Sequence, residues 1–111
     1  MYFEQEIRDA IRRHKDLYGD YEYRKYSKAV EFVQQVATIA DKNIYVIFLN
    51  DSVEVIWNDD REYTLRRFYN SEEDVCFMST FKNDVLHIVE QSINDLPNGL
   101  IKLRKQTGRV A

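Results

Sequence analysis

Disulfides, flexible linkers and phosphate-cradling loops all need residues that this chain scarcely has: it holds one cysteine, one proline and three glycines. A lone Cys76 forms no internal disulfide, which agrees with a reducing compartment. The glycines stand isolated at positions 19, 99 and 108, so no glycine-rich loop is present and nucleotide binding by the common loops is excluded. Long apolar runs are missing as well, since none approaches the roughly 20 residues that cross a bilayer. The N-terminus opens with Glu4 and Glu6, where a signal peptide would carry basic residues and an apolar run. A cytoplasmic location is expected. The two histidines, His14 and His87, lie far in sequence from each other and from Cys76. A zinc site needs three or four such ligands, so neither a metal nor another cofactor is expected.

What is present is ordinary for a folded domain: 111 residues, 44% apolar and 32% charged. That length supports one core and leaves too little for two. The expected organisation is a single α+β domain over 1–101 followed by a short basic tail over 102–111. Charge is unevenly spread. The net value is −3, but residues 43–101 carry −7 and the last ten residues +4. An acidic body and a basic tail are both available for recognition.

The stretch from Asp20 to Lys42 organises the rest. Tyr23, Tyr26, Val30, Val33, Ala37 and Ala40 recur at threes and fours, with Ala29, Phe32, Val36 and Ile39 in a second row. Together they sweep roughly 200° of a helix, twice an ordinary apolar stripe, which predicts burial on two sides. An amphipathic helix over Phe3 to Tyr18 precedes it, with Gly19 as its stop and Asp20 as the next N-cap. Such a short joint predicts an antiparallel helical hairpin.

After Asn43 the pattern becomes extended. Ile44 to Leu49 is an unbroken apolar run, read as an interior strand buried on both faces. Val53 to Trp57, Glu62 to Tyr69 and Val75 to Phe81 follow as strands, separated by polar turns. Residues 83–96 fit either a fifth strand or a helix. The helix is preferred because Val85, Leu86, Ile88, Val89, Ile93 and Leu96 share one side, with Asn83 as N-cap and Pro97-Asn98-Gly99 as terminator. The expected fold is therefore a helical hairpin, a four-stranded antiparallel meander and a C-terminal helix (ααββββα).

Candidate sites follow from that topology. Cys76 and His14 read as core residues, and the turn carboxylates lack the rigid, partly desolvated setting of a catalytic pair, so no catalytic residue is assigned. A meander puts Asp51, Glu72, Glu73 and Asp74 at one end of the sheet and Asp59, Asp60 and Glu62 at the other. These acidic rims could match a basic groove on another protein, in the manner of a DNA-mimicking inhibitor. A second candidate is the aromatic and arginine cluster of Tyr18, Tyr21 and Arg24 at the helix junction, a composition common in interface hot spots. The leading expectation is thus a non-enzymatic protein-binding domain, a small inhibitor or regulator. A nucleic-acid-associated protein using the basic tail and Arg66 or Arg67 ranks second, and a small enzyme third.

Overall fold

The computed structural model describes residues 1–40 and 43–108. Lys42, at the expected end of the second helix, and Arg109, in the expected tail, lie outside the described residues. Two helices, α1 (Glu4–Tyr18) and α2 (Tyr23–Val36), precede five strands: β1 (Ile44–Phe48), β2 (Ser52–Asn58), β3 (Glu62–Phe68), β4 (Val75–Lys82) and β5 (Val85–Ser92). A 3-10 turn (Ile93–Asp95) leads into α3 (Leu96–Gln106). The strands form one antiparallel sheet in sequence order, β1 to β5. The architecture is α+β, as expected, but with five strands rather than four.

All three helices lie on one face of the sheet. Ala29, Phe32, Val33 and Val36 of α2 are fully buried, as are Val46, Val53, Val55, Leu65 and Met78 from the strands below. Alternation carries this arrangement, because successive strand residues point to opposite faces. The positions in between, from Tyr45 and Ile47 on β1 to Leu86, Ile88 and Glu90 on β5, fall on the opposite, helix-free face. The two N-terminal helices run antiparallel, since the Tyr2 N–H donates to Gln34 Oε1 (2.9 Å) and Gln34 Nε2 donates back to the Tyr2 carbonyl (2.8 Å). Gly19 ends α1 at φ 89°, a left-handed conformation that favours glycine.

Several expectations change. The second helix starts at Tyr23 after Glu22, not at Asp20, and Tyr23 is 83% exposed instead of joining the core. The apolar run at Ile44 forms an edge strand, with only alternate residues buried. Its outer edge is guarded: Arg13 donates to the Val46 carbonyl (2.7 Å) and stacks 4.6 Å from the Tyr45 ring. At the other edge, no strand pairs with the outer side of β5 among the described residues.

The largest correction concerns 83–96, which is strand and not helix. Asn83 and Asp84 both take positive φ, 51° and 63°. Two such residues make the tight hairpin turn whose twist suits flanking strands, and Asn and Asp tolerate it best after glycine. Pro97-Asn98-Gly99 is accordingly the first turn of α3 and not a terminator, with proline where its missing N–H costs nothing. Leu96, Leu100 and Leu103 are buried, and Lys102, Arg104 and Lys105 belong to this helix.

Gly99 lets α3 lie close to the sheet. A Cβ there would stand 2.6 Å from Met78 Sδ and 2.9 Å from Gln91 Cβ. Gly99→Ala should therefore destabilise by about 1–3 kcal/mol through overpacking, outweighing the gain in helix propensity. Denaturant midpoints check this, and a rise in midpoint would refute the close-packing account. Leu103→Ala should cost about 2–5 kcal/mol, as expected for a buried leucine, whereas a dispensable tail would lose nothing.

Candidate functional site

The sheet's first and third turns do meet at one end. The Tyr69 N–H donates to the Asp51 carbonyl (3.0 Å), so Asp51 stands beside the loop carrying Glu72, Glu73 and Asp74. Asp59, Asp60 and Glu62 are placed at the opposite end by the meander. Neither end is purely acidic. Asp74 accepts from Arg67 (3.3 Å), which also donates to the Lys28 carbonyl (3.3 Å). Lys28 in turn donates to the Tyr69 carbonyl (2.9 Å). A polar depression of about 570 Å³ opens here, lined by Arg24, Lys25, Lys28, Arg67, Glu72 and Asp74 among others. Four cations there, Arg24, Lys25, Lys28 and Arg67, stand with three carboxylates, Glu22, Glu72 and Asp74, so the lining is not an acidic surface.

At the other end Asp59 forms an ion pair with Arg104 of α3. The Arg104 guanidinium also lies 5.9 Å from the Tyr63 ring, which stacks on Trp57 at 5.2 Å. Burial alone would raise the Asp59 carboxyl. Hydrogen bonds from Asp60 and then Arg104 outweigh it and hold the group below its ordinary range. The pair clamps α3 to the β2–β3 turn, which gives Asp59 a structural task.

The tyrosine cluster divides. Tyr18 is exposed and packs on His14 (5.1 Å), whereas Tyr21 is half-buried between His14 (4.5 Å) and Phe48 (5.0 Å). Burial, then the neighbouring Asp51 and Glu22 carboxylates, push the Tyr21 hydroxyl well above its usual range. Arg24 lines the polar depression instead of joining Tyr18. His14 is buried and bonded through Nε2 to Asn50 Oδ1 (2.9 Å). Burial pushes the Cys76 thiol up to about 12, with Arg67 opposing, so thiolate chemistry is suppressed. Of the strand arginines, Arg67 is buried against α2 and Arg66 pairs with Glu54 (2.8 Å).

The surface that sequence reasoning missed is the helix-free face of the sheet. Cross-strand pairing arranges it in rows. One row runs Tyr45, Ile56, Thr64, Ser79, Ile88. The next runs Ile47, Glu54, Arg66, Phe77, Glu90. On the other side of the first row lie Asn58, Glu62, Phe81 and Leu86. Phe81 is 61% exposed, Tyr45 50%, Ile88 49% and Leu86 47%. A shallow recess of about 320 Å³ lies at the centre, between Thr64, Arg66, Phe68, Phe77, Ser79 and Ile88. The signal available in the sequence was the apolar character of both alternating sets in Ile44–Leu49 and Val85–Val89.

Compared with protein-family models, curated proteins and solved structures, the chain matches none. The open face, the polar depression and the Asp59–Arg104 clamp therefore stand on their own geometry.

The clamp makes a pH prediction. A depressed carboxylate adds stability that is present above the unfolded value of about 3.9 and is lost as pH falls through the folded one. Asp59→Asn should lower the denaturant midpoint near pH 7, and the gap from wild type should close in acid, as pH falls through the folded carboxyl's lowered value. A gap that persists unchanged in acid would show that the carboxylate charge plays no part.

Proposed function

We propose that this chain is a protein-binding domain whose docking surface is the open face of its five-stranded sheet. One observation carries the reading: large apolar side chains, Tyr45, Phe77, Phe81, Leu86 and Ile88, remain exposed together on a single rigid face. Monomeric proteins seldom leave an apolar patch beyond a few hundred Å² uncovered, and larger ones mark interaction surfaces. Antiparallel sheets with one solvated face normally alternate apolar and polar positions, and here the solvated positions of β1, β4 and β5 are largely apolar as well. Hydroxyls at Thr64 and Ser79 and the Glu54–Arg66 pair give the centre of the patch a polar address. The acidic turn residues, Asp51, Glu72 and Glu73 at one end and Asp60 and Glu62 at the other, would flank such a contact as its polar rim, steering encounter more than holding it.

The test compares a tagged wild-type chain with two variants, using capture from cells that also express the untagged chain. Phe77→Ser with Phe81→Ser strips the face, while Glu72→Lys with Glu73→Lys reverses the rim. Loss of the captured protein with the face variant and its retention with the rim variant is expected, both variants keeping the wild-type denaturant midpoint. Equal capture by the face variant and wild type would overturn the reading.

A further inference from the structure

We propose that the occupant of the open face is a second copy of this chain, the two sheets packing face to face about a two-fold axis that crosses the strands along the Tyr45–Ile88 row. The inference rests on the docking surface argued above and names what covers it. Three observations lead there.

The first is area. Taking roughly 200 Å² for a fully exposed large side chain, the half-exposed apolar residues and their polar neighbours offer on the order of 800 Å², the amount each partner contributes to a standard interface.

The second is apolar self-complementarity. A two-fold axis sets each residue of the row against its own copy, so Tyr45, Ile56 and Ile88 meet like residues, with the small Thr64 and Ser79 at the centre. The flanking rows exchange: Phe77 on one side meets the second copy's Phe81 on the other, four residues along the same strand.

The third is charge. The same exchange brings Arg66 against Glu62 of the second copy, and Glu54 against the amide of Asn58. Glu62 makes no ion pair within the chain among the described residues, and Arg66 uses only part of its guanidinium on Glu54. The exchange also sets Glu90 against Leu86 of the second copy, on the outermost strand, where the carboxylate has to turn outward to stay in water. An axis along β3 would instead set Arg66 against Arg66, so the charges select the axis across the strands. Face-to-face packing of this kind spaces sheets about 10 Å apart, with their strands within about 30° of alignment.

The experiment is light scattering and sedimentation equilibrium on the full chain. At about 100 µM, where a standard interface is populated, wild type should have twice the mass of one 13.4 kDa chain. Ile88→Glu sets two carboxylates against each other on the axis and should give monomer. Glu62→Arg and Arg66→Glu should each weaken self-association at least about tenfold. Mixed one to one, these two variants should form a heterodimer within a few-fold of wild-type affinity, because each Arg then again faces a Glu. Circular dichroism and denaturant midpoints establish that every variant is folded. A wild-type monomer, a dimer indifferent to these substitutions, or a mixture no tighter than its components would each overturn the proposal. Failure here stays distinct from failure of the docking surface. A monomeric chain whose Phe77 and Phe81 still hold a different protein removes the second copy alone, whereas a face that captures nothing removes both.

Discussion

The fold depends on burying one side of the sheet beneath α2. Phe32, Val33 and Val36 are fully inaccessible against Val46, Val53, Val55 and Leu65. The helix can reach these strands only if their alternate residues all point its way, which fixes the register of every neighbouring pair. A slip of one residue would turn the whole set over. The same registration decides which side chains stand on the other face, so the geometry of the open surface is set by the core and not by the surface residues themselves. That is what rigidity means for a candidate interface: Phe77 and Arg66 are positioned by Met78 and Leu65 behind them.

The C-terminal helix completes the layer at the other half of the sheet. Its approach is permitted by the missing side chain at Gly99 and secured at its far end by the Arg104–Asp59 pair and by Lys82, which donates to the Thr107 carbonyl. These contacts lie on the helix side, so α3 leaves the opposite face of β4 and β5 clear. Cys76, Arg67 and His14 are buried, Arg67 bonding to Asp74 and the Lys28 carbonyl and His14 to Asn50.

The two N-terminal helices, the three central strands and the buried positions Val33 and Phe48 were legible in the sequence, because their periodicities are unambiguous. Three elements were not: α3, whose first turn holds the Pro97-Asn98-Gly99 that reads as a stop, and two strands that were misread for one shared reason. Ile44–Leu49 reads as a strand covered on both sides because Tyr45 and Ile47 are as apolar as Val46 and Phe48. Val85–Val89 reads as a helix because Leu86 and Ile88 add apolar residues to the face that alternation reserves for polar ones. Pattern reading assumes that apolar residues are covered within the chain, and on this face they are not. Asn83-Asp84 held the local cue, a turn dipeptide able to adopt positive φ, but it also resembles an N-cap. The acidic turns were placed correctly by topology. Their neutralising partners, Arg67 and Arg104, come from positions 7 and 45 residues away, and no local pattern announces such pairs.

The two edges of the sheet are unequal, and this limits how copies could string together. Indefinite strand-by-strand growth needs an acceptor at both ends of each molecule, because every added unit must offer the next one a bare ladder of N–H and C=O groups. At β1 that ladder is blunted by the Arg13 guanidinium on the Val46 carbonyl and by the ring beneath it. Only β5 is bare. Edge pairing through β5 would therefore stop at two copies, leaving a guarded strand at each extremity, with Arg13 as the group that blocks the next addition.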